Sequence, residues 1–200
     1  METIGNYAFQ GCTSYTRLTI PASVTDIGER AFYNNTGLLN LTIENGNIGK
    51  EAFRSCISLT NLTLRNVKTI NEYAFYGTVI KNIDLGNKLE RIDKYAFSNS
   101  VKITELTIPK SVKYIGTKAF YYEITTYPVT DITISVYIRP TSPPTIDDGL
   151  FCLGRMSNSN GQWNQCLTLY VPTESIDAYN SIKSKFGQTG YITIIGYDYE

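Results

Sequence analysis

The hydrophobic positions of this chain repeat. A motif Ile-x-x-x-Ala-Phe occupies residues 4–9, 27–32, 48–53, 70–75, 92–97 and 115–120, and a weaker copy at 146–151 has Leu150 in place of alanine. The phenylalanines stand 23, 21, 22, 22, 23 and then 31 residues apart. Eight or nine residues after each of the first five comes an alternating triplet: Leu18-Thr-Ile20, Leu41-Thr-Ile43, Leu62-Thr-Leu64, Ile83-Asp-Leu85 and Leu106-Thr-Ile108. That alternation predicts a short strand with one buried face. After longer gaps, Ile132-Thr-Ile134 and Leu167-Thr-Leu169 read as further copies. A second short alternating run precedes most of the isoleucines, as at Val24–Ile27, Val67–Ile70, Leu89–Ile92 and Val112–Ile115.

Each column of the repeat has a physical reason. Gly5, Gly28, Gly49, Asn71, Asp93, Gly116 and Asp147 follow the isoleucine. These residue types tolerate positive φ, so the column is expected to turn the chain in the left-handed region. The alanine column suits a tight turn against the next coil, and the phenylalanines are expected to stack as an aromatic spine. One repeat buries about five large apolar side chains at ~1.5–3 kcal/mol each. Ordering its backbone costs ~1–2 kcal/mol per residue over about 22 residues. A lone repeat cannot fold; neighbours supply the deficit through shared faces and strand-to-strand hydrogen bonds.

The fold class is therefore a β-rich right-handed solenoid with repeats of about 21–23 residues, short turns, one C-terminal helix and a capping strand. Residues 1–138 are expected to form the solenoid, about six repeats, and 139–200 a degenerate last repeat, an inserted loop and a cap. Arg139-Pro-Thr-Ser-Pro-Pro-Thr reads as a rigid loop, because proline fixes φ and lacks a donor. Residues 152–165 read as the insertion. Thr173 and Gly187 bracket a helix whose apolar stripe is Ile176, Tyr179, Ile182 and Phe186, and Tyr191–Ile195 is the last strand.

The unit Leu-x-x-Leu-x-Ile-Pro-x-x-Val-x-x-Ile-Gly-x-x-Ala-Phe-x-x-Cys is nearly spelled out by Ile103–Phe120, with Cys12 and Cys56 filling the last position in other repeats. Over roughly residues 1–172 the chain resembles the BspA-like leucine-rich repeat family, found mostly in surface proteins of anaerobic gut and oral bacteria. The resemblance implies a secreted or cell-surface module on the outer face of a bacterial envelope. It also implies attachment to host matrix proteins, other cell-surface proteins or glycans. Met1 falls inside a repeat and no signal segment precedes Ile4. The natural chain is accordingly expected to extend N-terminally and to carry its export signal there.

Composition narrows the chemistry. Lys+Arg and Asp+Glu are both 18, so nothing draws the chain to nucleic acid or an anionic membrane. Histidine is absent, which removes Ser-His and Cys-His nucleophiles and His-ligated metals. No apolar run reaches the ~18 residues of a membrane-spanning helix. A cofactor is not expected, and the chain is expected to be a monomer. Cys12 and Cys56 share a column two repeats apart. At ~4.8 Å per strand their Cα atoms stand about 10 Å apart, too far for a disulfide, so both are expected free and buried. Asn35, Thr78 and Ser100 fill that column elsewhere, where small polar residues bond the turn backbone. Cys152 and Cys166 bracket the insertion; they either pair on export or remain two thiols.

The outward columns of the strands hold the candidate sites. One column reads Thr19, Thr42, Thr63, Asp84, Thr107 and Thr133, and its neighbour Arg17, Asn40, Asn61, Asn82, Glu105 and Asp131. Asp84, Glu105 and Asp131 thus fall on successive strands. Carboxylates so placed suit a cation or a glycosidase pair, but the leading reading is that each is solvated or paired with Lys81, Lys102 or another neighbour. Tyrosine, at 16 residues, is the compositional outlier. Tyr7, Tyr73 and Tyr95 precede the alanine, and Tyr33, Tyr76 and Tyr121 follow the phenylalanine, as half-buried flank cover or as contact residues. Tyr121 and Tyr122, where the spacing breaks, and Trp163, in the insertion, are the other candidate binding residues. The leading expectation is a non-enzymatic binding or adhesion module taking a protein or glycan ligand through the strand face or the flanking tyrosines. The alternatives are a spacer in a larger surface protein and a carbohydrate-active enzyme using Asp84, Glu105 and Asp131.

Overall fold

The computed structural model describes residues 2–100, 103–121, 134–150, 167–187 and 192–199. It is a parallel β-solenoid of about seven turns with one short C-terminal helix. One side is a seven-stranded sheet of very short strands: β1 (Glu2–Ile4), β3 (Val24–Ile27), β5 (Asn47–Ile48), β7 (Thr69–Ile70), β9 (Arg91–Ile92), β11 (Tyr114–Ile115) and β13 (Thr145–Ile146). The other side carries two four-stranded sheets. The first is β2 (Arg17–Ile20), β4 (Asn40–Asn45), β6 (Asn61–Asn66) and β8 (Asn82–Asp84). The second is β10 (Glu105–Ile108), β12 (Ile134–Ile138), β14 (Leu167–Pro172) and β15 (Ile192–Tyr197).

The repeated columns form the core. Ala31, Ala52, Ala74, Ala96 and Ala119 are fully buried. From Phe9 through Phe32, Phe53, Phe75 and Phe97 to Phe120, successive rings stack at 5.0–5.3 Å between centroids and within 9° of parallel. From Phe9 to Phe97 each phenylalanine N–H donates to the alanine carbonyl of the next coil, as Phe53 does to Ala74 at 2.8 Å, and Phe120 donates to the Leu150 carbonyl at 3.1 Å, where leucine replaces alanine.

The turn differs from the sequence expectation. Positive φ falls two residues later than the glycine-rich column, on Tyr7, Arg30, Glu51, Tyr73, Tyr95 and Lys118, at 53° to 60°. A side chain there costs ~1–2 kcal/mol, offset by inter-coil bonds such as Glu51 N–H to the Glu72 carbonyl at 3.0 Å. The glycine column serves close approach instead. A Cβ on Gly28 would stand 2.7 Å from the Asn6 nitrogen, and one on Gly49 would strike the Ile27 carbonyl. In both cases the glycine N–H donates to the preceding coil's isoleucine carbonyl at 2.8 Å.

The cap is a helix α1 (Ile176–Ser181) flanked by short 3-10 turns, Thr173–Ser175 and Lys183–Phe186, and ended at Gly187. Thr173 opens the first 3-10 turn rather than capping α1, whose start has no side-chain cap. Tyr179 and Phe186 are fully buried, and the Tyr179 hydroxyl donates to the Pro140 carbonyl at 2.8 Å. Gly196 on β15 leaves room for Ile176, whose Cδ1 would lie 2.8 Å from a Cβ there.

The cysteine column behaves as its polar occupants predict. Cys56 is buried and free, and its thiol donates to the Phe32 carbonyl at 3.3 Å. Thr78 and Ser100 both donate to the Phe75 carbonyl at 3.0 Å. Cys12 is free but only half-buried. Cys152 and Cys166 lie outside the described residues.

Candidate functional site on the strand face

The two face sheets present different outward columns. On the first, register aligns Arg17, Asn40, Asn61 and Asn82 in one row and Thr19, Thr42, Thr63 and Asp84 in the next. The asparagines bond one another: Asn61 Nδ2 donates to Asn40 Oδ1 at 2.8 Å, and Asn82 Nδ2 to Asn61 Oδ1 at 2.6 Å. Beyond them Arg65 pairs with Glu44 at 3.0 Å. On this face the asparagine row and the Arg65–Glu44 pair satisfy themselves, while Arg17 at the edge has no ion pair among the described residues.

Asp84 ends that order. Its carboxylate accepts the Gly86 N–H at 2.9 Å, and Gly86 turns at φ 64°. This short side-chain turn takes the chain out of the strand after three residues. Among the described residues no backbone hydrogen bond joins β8 to β10, and the second sheet begins across that seam.

In the second sheet the register departs from the expected one. Leu106 pairs with Val136 and Ile108 with Ile138, four residues beyond the Ile132–Ile134 match. Glu105 therefore stands beside Ser135. The outward residues become Ser135 and Tyr137, with Arg139 following, and Tyr137 aligns with Tyr170 on β14. Their rings stack at 4.7 Å. Tyr197 stands across both, 5.7 Å from Tyr137 and 6.1 Å from Tyr170 at steep angles. Tyr199 meets Tyr197 edge-on at 4.9 Å, takes the Arg139 guanidinium over its ring at 5.4 Å, and donates to the Tyr170 carbonyl at 2.9 Å.

These residues enclose a hollow of about 500 Å³ bounded by Glu105, Thr107, Tyr137 and Arg139 on one side and Tyr197, Asp198 and Tyr199 on the other. A second, of about 430 Å³, lies over the seam, with Asp84, Gly86, Asn87 and Lys110 on its walls. Thr107 and Arg139 line both, so the hollows form one groove. Among the described residues no ion pair engages Asp84, Glu105, Asp198, Arg139 or Lys110. Burial pushes the Tyr199 hydroxyl up to about 12 despite nearby Arg139. Burial and the Glu105 carboxylate raise that of Tyr137. Both remain proton donors at neutral pH.

The structure thus brings Asp84 and Glu105 to one groove, on different sheets. Tyr121 lines neither hollow; it is half-buried on the flank, with the Lys118 ammonium 4.8 Å from its ring centroid. Asp131, Tyr122 and Trp163 lie outside the described residues. Sequence reasoning missed Tyr137, Arg139, Tyr197, Asp198 and Tyr199. The signal was the unbroken alternation Ile134, Val136, Ile138, which carries Tyr137 and Arg139 outward; Arg139 was instead assigned to the proline loop.

The other tyrosines cover the flank. Arg30 lies near the rings of Tyr7 and Tyr33, and Arg54 near those of Tyr73 and Tyr76, at 4.9–6.0 Å. Both arginines reach Glu51, whose side chain is 7% exposed, at 2.9 and 3.5 Å. The hydrogen bond from Arg30 holds the Glu51 carboxyl below its ordinary value. Tyr73 and Tyr95 stack at 4.9 Å. Among the described residues no group of acids and cysteines could hold a metal ion, and no helix is long and apolar enough to cross a membrane.

No curated protein matches the chain. A leucine-rich repeat protein of T. pallidum, TpLRR, has a similar crystal structure, with a TM-score of 0.56 and 20% identity over 94% of this chain and 90% of that one. A leucine-rich repeat protein from Bacteroides ovatus aligns with a TM-score of 0.45 and 19% identity, over 96% of this chain and 64% of that one. The model of the BspA type leucine rich repeat region matches residues 2–127 in six copies. With more than half its length matched, the chain belongs to the BspA-type leucine-rich repeat family.

Proposed function

We propose that this chain is a non-enzymatic binding module of a secreted or cell-surface protein, and that it takes its ligand in the groove of the second face sheet. One observation carries the reading. A 500 Å³ hollow gathers three tyrosines, Tyr137, Tyr197 and Tyr199, with Glu105, Asp198 and Arg139, and none of these three charged groups is ion-paired among the described residues. On the first face sheet several outward groups are already paired, as Arg65 is with Glu44 and Asn61 with Asn40. Aromatic and arginine side chains around a concavity are the usual carriers of binding energy. Family membership supports the reading, since repeat folds of this kind present extended interaction surfaces.

The test is a binding panel of immobilised matrix proteins and glycans. The proposal expects saturable binding by at least one member, weakened about tenfold or more by Arg139→Ala. No binding across the panel, or binding indifferent to Arg139, contradicts it. Glycans incubated with the protein are expected to be recovered uncleaved; cleavage lost in Glu105→Gln would favour the enzymatic reading instead.

A further inference from the structure

The groove's lining also selects among ligand chemistries, given that it is the binding site proposed above. Its charges oppose any single ligand sign. An anion would meet Asp84 on one side and Glu105 with Asp198 on the other, whereas a cation would meet Arg139 at the centre, where the two hollows join. A peptide of ordinary composition gains affinity by filling apolar pockets. The larger hollow offers none: its lining is Tyr, Thr, Arg, Glu and Asp, without an aliphatic side chain.

What the lining does offer is an exposed aromatic ring, strong acceptors and strong donors, side by side. Tyr197 is 44% exposed and stands at 75–78° to the rings of Tyr137 and Tyr170. An aromatic face is negative and attracts polarised C–H groups. Glu105 and Asp198 accept hydrogen bonds from hydroxyls, and Arg139 donates in a planar fork. The hollow over the seam is less polar, since Asp84, Asn87 and Lys110 share its walls with Ile83, Leu85 and Pro109. From β10 to β15 is three inter-strand steps of about 4.8 Å, some 14 Å, before that second hollow is counted. The groove therefore suits a ligand that is long, polar and uncharged, with C–H faces and many hydroxyls.

We infer that the groove binds a neutral oligosaccharide, laid across the strands with a sugar ring on Tyr197 and its hydroxyls shared between Glu105, Asp198 and Arg139. The binding is to an extended glycan, with no bond made or broken. Thr107, common to both hollows, takes a hydroxyl at the centre. The carboxylates act as acceptors here, which accounts for an acidic lining in a site that holds no metal-binding group among the described residues.

Calorimetric titration of the protein tests this with cellohexaose, mannohexaose, xylohexaose and chitohexaose, set against hexagalacturonate and a gelatin digest. At least one neutral hexaose is expected to bind, with affinity changing less than about twofold between 50 and 500 mM salt, because an uncharged ligand is not screened. Tyr197→Ala is expected to weaken it about tenfold or more and Arg139→Met about fivefold, with the circular dichroism of both variants unchanged. Binding of hexagalacturonate or gelatin alone, weakened by Arg139→Met, overturns the neutral-glycan inference while leaving the binding-module reading in place. Binding by none of the six overturns the neutral-glycan inference, and the panel of matrix proteins then decides the binding-module reading. A neutral hexaose that binds equally to wild type, Tyr197→Ala and Arg139→Met also overturns the inference, since the ligand then sits elsewhere.

Discussion

The two face sheets share one backbone plan and diverge in what they do with their outward side chains. In the first, asparagine recurs on three successive strands and a Glu faces an Arg one coil away, so these side chains find partners on the neighbouring coil. Asn40, Asn61 and Asn82 hold one another, and Glu44 holds Arg65. In the second, the outward residues change from strand to strand, from Glu105 and Thr107 to Tyr137, Arg139 and Tyr170. Repetition makes a surface that satisfies itself, and loss of repetition leaves groups free for a ligand. The seam after Asp84 is where one regime gives way to the other.

The interior obeys the repeat on both sides of the seam, and the largest expected effect lies there. Phe53→Ala removes a fully buried ring from between Phe32 and Phe75 and should cost about 3–5 kcal/mol in urea unfolding. A cost under about 1 kcal/mol would mean that the spine is not continuous. Gly49→Ala should cost about 1–3 kcal/mol, because its Cβ meets backbone of the preceding coil. Gly5→Ala meets nothing within 4 Å and should be near neutral.

The flank gives a pH-dependent comparison. The Arg30 hydrogen bond lowers the Glu51 carboxyl, so the native state binds fewer protons there than the unfolded chain. That stabilisation is complete above the ordinary carboxylate value and is lost as pH falls through the lowered one. Glu51→Gln should therefore lower the melting temperature at pH 7 and flatten its acid decline. The same substitution leaves the groove untouched and should not alter binding. An unchanged acid limb would show that Glu51 gains nothing from Arg30 and Arg54.

Reactivity separates the two free thiols. Burial raises Cys56 to about 12, so it should resist alkylation in the native protein at pH 8 while half-buried Cys12 reacts. Equal rates would contradict the covered column.

Smallest in stability, and most informative about the faces, is the pair Asn61→Ala and Tyr197→Ala. The first breaks two bonds of the amide ladder and should cost about 0.5–1 kcal/mol without altering ligand binding. Tyr197 is 44% exposed but meets three rings edge-on, so its removal should cost about 1 kcal/mol and also weaken binding.

The interior was legible in the sequence because alternation and spacing encode burial directly. The phenylalanine spine, the alanine column and the polar bonds of Thr78 and Ser100 follow from identities in register. The site was legible only in part. Asp84 and Glu105 were visible because an acid interrupts a Thr or Asn column. Tyr137 and Arg139 were hidden because alternation has period two: shifting Ile134–Ile138 by four residues keeps every side chain on its face, so sequence cannot choose the register. The left-handed turn was misplaced for a related reason. Glycine marks both positive φ and close approach, and in this fold Gly28 and Gly49 serve the second, while Arg30 and Glu51 take the strained conformation in exchange for inter-coil hydrogen bonds.

The account's central claim is that one face sheet is satisfied and the other binds. Two multiple variants test it side by side against the best ligand of the panel. Asn40→Ala/Asn61→Ala/Thr63→Ala strips the first face, and Glu105→Gln/Arg139→Met/Tyr197→Ala strips the groove. The account predicts wild-type affinity for the first variant and no measurable binding for the second, both folded by circular dichroism. Loss of binding in the first variant with retention in the second would contradict it.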